Sequence, residues 1–251
     1  MDRIQRAVEL FQEQKTTEAL DLVLQVLTDR AEIQRAEHDR LELRNRGEYE
    51  AAIAQINQAI QEAGGGELLG RLLHDRGTTL QGASRFDEAL VSLRAAYLVR
   101  RAAGDAIGAS YSAFQIPMCR NLAGDPHDDL LEEFRQAKNI LSQILSEEAA
   151  KIEVAHEGNL RQNLAFCLQR EGEHESALEM YNEVLSLREQ ADDQRGYAMT
   201  QARIAECLLG LGRLDEAEST AQAALEYFEK IQDQNRIQQL RSTLERIAEK
   251  R

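Results

Sequence analysis

The chain has 251 residues, of which 43% are hydrophobic and 29% charged, and its formal net charge is −14 at pH 7. The hydrophobic content allows a packed core. The negative charge argues against binding to nucleic acid phosphates or anionic membranes and favours basic or neutral partners. Three widely spaced cysteines do not form the pattern of a disulfide framework, and no apolar run approaches the ~18 residues of a membrane-spanning helix.

The N-terminal residues open an amphipathic helix and lack the apolar centre of a signal peptide, so we expect a cytoplasmic protein. Leu, Ala, Glu, Gln and Arg dominate the composition, and all five favour helices. Residues with β-branched side chains do not alternate with polar residues over any run that would predict a strand. The sequence therefore predicts an all-α protein.

One short pattern recurs along the chain: a turn glycine, two or three polar residues, an acidic residue, and then alanine. Clear copies lie at 47–53, 172–178 and 212–218, and weaker copies lie at 14–20 and 84–90. Glycine can take the left-handed conformation that ends a helix, and acidic residues favour the start of the next one. The small alanine lets the second helix approach the first closely. Each copy therefore predicts the turn of a helical hairpin.

A further hairpin is predicted between residues 105 and 150, where the pattern is missing. The pattern alanines stand at 19, 52, 89, 177 and 217, so the interval between the third and the fourth holds about two repeats. The turn of this hidden hairpin is predicted at 122–126, with Asp125 as helix cap and Pro126 as first helical residue. Pro117 falls in its first helix, where we expect a kink.

The last predicted helix, at 234–250, has an apolar stripe formed by Ile237, Leu240, Leu244 and Ile247 and a polar opposite face, as expected of a closing helix. Residues 1–251 are therefore predicted to form one domain of about six helical hairpins and a C-terminal capping helix. The triple glycine at 64–66 is interpreted as an interhelical loop, with a hinge as the alternative.

These repeats resemble the tetratricopeptide repeat family, which implies a right-handed α-solenoid. With the pattern alanine numbered 20, the family's small residue at position 8 corresponds to Ala7, Gly77, Ala165 and Ala205, its glycine at 15 to Gly47, Gly172 and Gly212, its aromatic at 24 to Tyr181, and its alanine at 27 to Ala59, Ala96 and Ala224. Arg40 replaces the small residue in the second repeat. Cys119, Cys167 and Cys207 share position 10 and are interpreted as small buried hydrophobic residues.

The periods near 40 resemble the extended repeats of kinesin light chains, bacterial peptide-sensing regulators and signalling adaptors. The family resemblance implies a concave groove lined by the first helix of each hairpin. The candidate partner-binding residues in this groove are Asn159, Gln162, Asn163, Phe166, Gln169 and Arg170 of the fifth repeat, Arg203 and Glu206 of the sixth, and Arg71 and His74 of the third. Amides can pair with both polar groups of an extended peptide backbone, and arginines can bind a carboxylate. The alternative is that the amides only fill a solvated groove.

We find no catalytic, cofactor-binding or metal-binding constellation in the sequence. The triple glycine lacks the Lys-Ser/Thr ending of a phosphate loop, and the pair of Glu153 and His156 lacks the further ligands of a di-iron site. We therefore predict a non-catalytic scaffold or adaptor that binds a protein or peptide, without a cofactor, nucleic acid or membrane. The alternative is a regulatory sensor whose array changes curvature on binding a peptide or small effector and controls an associated effector protein. The sequence is compatible both with a monomer and with a homo-oligomer.

Overall fold

The computed structural model describes residues 35–63, 65–147 and 152–251, and in these ranges it contains eleven helices and no strand. The helices are α1 (35–45), α2 (Tyr49–Glu62), α3 (Gly66–Gly82), α4 (Phe86–Ala102), α5 (Ala106–Ala123), α6 (His127–Glu147), α7 (Val154–Arg170), α8 (His174–Gln190), α9 (Gln194–Gly210), α10 (Leu214–Lys230) and α11 (Gln234–Glu249). The first predicted hairpin, with Ala7 and Ala19, lies outside the described residues.

Helices that follow one another in the chain also pack against one another, from α2 to α11. Smaller contacts join α3 to α5, α7 to α9, and α9 to α11, which are first helices of successive units. This arrangement is an α-solenoid of helical hairpins, with α11 packed on the last of them. The predicted all-α solenoid is therefore confirmed, and the hidden hairpin is α5 and α6.

The hairpin turns are left-handed at the predicted glycines. Gly47, Gly124, Gly172 and Gly212 have φ between 74° and 94°, a region that glycine enters without the steric cost of a side chain. Ser84 occupies the same place in a weaker copy of the pattern, with φ 59°. At the turn of the hidden hairpin, the carboxylate of Asp125 accepts a hydrogen bond from Arg120 Nε at 2.6 Å instead of capping α6, which begins at His127.

The second helix of each hairpin buries one stripe of residues against its neighbours. The stripe starts at the pattern alanines Ala52, Ala89, Ala177 and Ala217, all of them fully buried. In the hidden hairpin Leu130 takes that place, because it follows Gly124 by six residues whereas each pattern alanine follows its turn residue by five. Phe134 then stands where Tyr181 stands in the fifth repeat.

The three cysteines are free and fully buried, as predicted for small core residues. Burial raises the pKa of the Cys167 and Cys207 thiols to about 12, so both remain protonated at neutral pH. The predicted stripe of the closing helix is confirmed too, since Ile237, Leu240 and Ile247 are buried and Leu244 packs beside them. None of the helices described above has an apolar stretch long enough to cross a lipid bilayer.

Candidate functional site

A buried arginine underlies the amide-rich part of the predicted groove. Arg188, at the end of α8, is 6% exposed, and its Nη1 donates to Asp193 Oδ2 at 2.9 Å. Its Nη2 donates to Asn159 Oδ1 at 2.5 Å and to Gln162 Oε1 at 3.3 Å. These acceptors offset the cost of burying the charge, which is several kcal/mol for an unpaired ion. Because their oxygens serve Arg188, Asn159 and Gln162 keep their NH₂ groups as donors.

The same arrangement occurs between the third and fourth repeats. Arg100 at the end of α4 is buried, its Nε lies 3.6 Å from Asp105, and its Nη1 donates to the carbonyl oxygen of Gly108. The spacing Arg-x4-Asp-x2-Gly is identical at Arg188, Asp193 and Gly196. In both copies the aspartate also caps the next first helix, by accepting from the glycine N–H.

The junction between α10 of the sixth repeat and α11 departs from this arrangement at two of its three positions. Phe228 occupies the arginine position and is fully buried, and Arg236 occupies the glycine position. Asp233 is retained and still caps the following helix, since it accepts from the backbone N–H of Arg236 at 3.2 Å. The sequence contains this repeated spacing, but apolar periodicity does not reveal it because it consists of an arginine, an aspartate and a glycine.

Phe166, predicted as an apolar floor of the groove, is 7% exposed and belongs to the core. Its ring centroid lies 5.8 Å from those of both Phe114 and Phe134. The guanidinium of Arg203 lies over it, 4.6 Å from the centroid, as in a cation–π interaction. Arg203 therefore covers Phe166.

Three of the predicted residues line one cavity of about 480 Å³, which we call the Arg170 cavity. It lies at the side of the solenoid where the hairpins turn, and α6, α7, α8, α9 and α11 contribute to it. The predicted members of its lining are Gln169, Arg170 and Glu206. His127, Glu171, His174, Arg246 and Lys250 also line it and were not predicted.

Arg170 is the central cation of this cavity. Its Nη2 lies 2.7 Å from His127 Nδ1, and its guanidinium lies 5.6 Å from the ring centroid of Phe134. Burial, and then the charge of Arg203, lower the pKa of the Arg170 guanidinium, although arginine stays charged in proteins. Arg170 Nε and His174 Nδ1 are buried and have no hydrogen-bond partner among the described residues. The carboxylate of Glu171 forms an ion pair with Lys138, and its Oε1 lies 3.9 Å from Arg135 Nε.

Glu206 connects the cavity to the closing helix. Its carboxylate accepts hydrogen bonds from Thr243 Oγ1 at 2.6 Å and from Arg246 Nη1 at 2.8 and 3.0 Å. Asn163 is half-buried on α7, and its side chain makes no hydrogen bond with the residues that the structure describes. Among the predicted groove residues of α7, Asn163 thus has a full set of unused donors and acceptors.

Arg71 and His74 lie in the third repeat, apart from the Arg170 cavity. Arg71 forms an ion pair with Glu37 of α1, and His74 Nδ1 lies 3.1 Å from Ser112 Oγ. Burial, followed by the charges of Arg100 and Arg44, lowers the pKa of His74 to about 3, so its ring is neutral at physiological pH. In the described ranges, no cluster of three or more histidine, cysteine or acidic side chains could hold a metal ion.

Comparison with known proteins supports the fold. Residues 156–230, from α7 to the end of α10, match the family model described as tetratricopeptide repeat. No curated protein sequence matches the chain.

Three solved structures illustrate the similarity. A putative kinesin light chain repeat protein of Podosopora anserina is 13% identical with a TM-score of 0.53, covering 80% of this chain and 96% of that one. A Rap protein complexed with competence and sporulation factor is 16% identical with a TM-score of 0.53, covering 99% and 76%. PlcR of Bacillus thuringiensis, in complex with the peptide PapR7 and DNA, is 16% identical with a TM-score of 0.61, covering 82% and 73%. Identities this low show the fold alone. The chain thus has the fold of a tetratricopeptide-like α-solenoid, and residues 156–230 match the tetratricopeptide repeat family model.

Proposed function

We propose that the chain is a non-catalytic scaffold that binds a peptide or an extended segment of a protein at the Arg170 cavity and the adjoining groove. The observation that carries this proposal is the Arg170 cavity, around which Arg170 Nε and His174 Nδ1 make no hydrogen bond with the described residues. A buried polar atom without a partner costs roughly 1–3 kcal/mol. A peptide supplies both carbonyl and N–H groups, so it can satisfy donors and acceptors of this kind together.

The groove of α7 adds backbone-reading groups beside the cavity. Asn159 and Gln162 present NH₂ donors because Arg188 occupies their oxygens. Asn163 has both a donor and an acceptor available. Arg170 supplies a positive charge for a carboxylate or a carbonyl oxygen. The net charge of −14 favours a basic or neutral partner over an acidic one during the approach.

The solved structures with this fold support the class of ligand only. Two of them were determined with a bound factor or peptide, namely Rap with competence and sporulation factor and PlcR with PapR7. We extend this property to the present chain on the strength of its own cavity and amide side chains, since the sequence identities are too low to transfer a ligand.

The test is a selection from a random-peptide phage library against the purified chain, followed by fluorescence polarisation with the selected peptides. Arg170→Ala and Asn163→Ala should each weaken binding at least about tenfold, the loss expected when one good hydrogen bond is removed. The matched controls are Asn182→Ala on α8 and Arg241→Ala on α11, both exposed. Equal affinities in all four variants would refute this placement of the site, provided that circular dichroism shows all of them folded.

The second candidate function is the regulatory sensor, and it is favoured by the irregular hairpin beside the fifth repeat. Pro117 lies buried inside α5, where it removes one backbone hydrogen bond, and the turn that follows is one residue longer than the others. An array in which each repeat contacts only its neighbouring repeats can bend. A selected peptide should then change the radius of gyration in small-angle scattering. An unchanged radius at saturation would leave the scaffold as the better description.

A further inference from the structure

A second cavity, of about 270 Å³, lies between α1 and α3 and is unusual in its charge. Four arginines line it: Arg40 and Arg44 from α1, Arg71 from α3 and Arg100 from α4. Among the described residues, the acidic members of its lining are Glu37 and Asp75. We call it the Arg40 cavity. In a chain with a net charge of −14, so many cations around one space form a local exception.

Arg40 stands where the repeat pattern requires a small residue. The equivalent positions in the third, fifth and sixth repeats are Gly77, Ala165 and Ala205, all buried. Arg40 is likewise only 7% exposed, although its side chain is long and charged. A small residue would allow close helix packing at this point, whereas a buried arginine needs space and acceptors. The residue that departs from the repeat pattern, Arg40, therefore lies at the cavity.

The charges around this cavity do not balance. Glu37 forms an ion pair with Arg71, and Arg100 is held by Asp105 and by the carbonyl oxygen of Gly108. Asp75 faces the remaining cations. Burial raises its pKa, while the charges of Arg44 and Arg40 lower it. Among the described residues, Glu37 and Asp105 thus balance Arg71 and Arg100, and Arg40 and Arg44 face Asp75 alone, so one positive charge is left over even with Asp75 ionised.

We propose that the Arg40 cavity binds a phosphoryl dianion, carried by a phosphorylated side chain of the partner. A phosphoryl group offers three acceptor oxygens to Arg40 and Arg44, whereas a carboxylate offers two. The planar guanidinium fork pairs with two phosphate oxygens at once, which gives arginine-lined sites their preference for this group. The cavity uses different residues from the Arg170 cavity, so each proposal can fail without the other.

The test is isothermal titration calorimetry of the full chain with three probes: a phosphoserine peptide, the same peptide without phosphate, and inorganic phosphate. Arg44→Gln and Arg71→Gln are the test variants, because neither side chain is as deeply buried as Arg40. Arg101→Gln is the matched control, since Arg101 neighbours Arg100 in α4 but is exposed. We expect each test variant to lose at least about tenfold in affinity for the phosphorylated probe, and the control to bind as the unmodified chain does.

The three probes separate the sources of the phosphoryl group. Tighter binding of the phosphopeptide than of inorganic phosphate supports a phosphorylated partner, and equal binding supports recognition of the group from any source. Rising salt should weaken both. The proposal is overturned if neither phosphorylated probe binds at millimolar concentration, if the unphosphorylated peptide binds equally well, or if Arg101→Gln weakens binding as much as Arg44→Gln does.

Discussion

The imidazole of His74 makes the stability of the third repeat depend on pH. Its pKa is lowered from 6.5 to about 3 in the folded chain by burial and by the charges of Arg100 and Arg44. The unfolded chain therefore binds a proton at His74 between these values while the folded chain does not. The stability associated with the neutral ring is complete above pH 6.5 and is lost as the pH falls toward 3, at up to about 1.4 kcal/mol per pH unit.

We predict that His74→Gln removes this part of the pH dependence. Urea unfolding of both proteins at pH 7 and pH 5 measures it. The stability advantage of the unmodified chain over the variant should shrink by about 1–2 kcal/mol between these values. Asp75, whose pKa is raised by burial, gains stability as the pH falls, but it is present in both proteins and largely cancels. Parallel pH profiles would contradict the prediction.

At the scale of the secondary-structure elements, the junction between α8 and α9 depends on Gly196. A β-carbon at this position would lie 2.8 Å from Arg188 Nε and still closer to the carboxylate of Asp193. Gly196→Ala should therefore displace the helix cap and weaken the buried ion pair. We expect a loss of about 2–4 kcal/mol in the free energy of unfolding, even though alanine favours helices over glycine by about 1 kcal/mol.

Gly158→Ala provides the matched control in α7. A β-carbon there would lie 3.5 Å from Arg188 Cζ, which is ordinary van der Waals contact. It should stabilise the chain by about 0.5–1 kcal/mol through reduced backbone entropy of the unfolded state. Thermal and urea unfolding of the two variants gives the comparison. Similar shifts for both substitutions would mean that the carboxylate cap moves aside without cost.

The sequence predicts the hairpins well where glycine and alanine keep their spacing, as around Gly172 and Ala177. The hidden hairpin is predicted from the interval between the pattern alanines and from its turn at 122–126. Its second helix lacks the pattern because one extra residue after Gly124 puts Leu130 in the alanine position. The candidate site was predictable in part. Periodicity reports where apolar side chains are buried, so it gives no sign of a buried charge such as Arg188 or of side chains brought together from distant hairpins, such as His127 and Arg170.

At the scale of the whole molecule, stability should vary along the array, because each helix packs mainly against its neighbours in sequence. Gly77→Ala tests this. Its β-carbon would lie 2.6 Å from Cγ of Leu93, which is fully buried, and 3.3 Å from the carbonyl oxygen of Ala89. Overpacking of this kind costs about 1–3 kcal/mol, more than alanine gains in helix propensity.

Hydrogen exchange measured by mass spectrometry should show the gradient. Amides of α3 and α4 should lose protection in Gly77→Ala, while amides of α9 to α11 keep most of theirs. An equal loss of protection along all the described helices would show that the array unfolds as one cooperative unit. The same measurement on the unmodified chain supplies the reference for each helix.

The junction between α10 and α11 carries Phe228 and Arg236 where the junction between α8 and α9 carries Arg188 and Gly196, and this difference limits how the repeats can be recombined. Consider a recombinant protein in which α8 is followed directly by α11. It would keep Arg188 and a capping aspartate, but Arg236 would stand where Gly196 now leaves room for the Arg188 guanidinium. Two like charges would then meet in a buried space. The repeats of this chain are therefore not interchangeable. A shortened or extended version should be joined at the turns within hairpins, so that the arginine, aspartate and glycine between one hairpin and the next stay together.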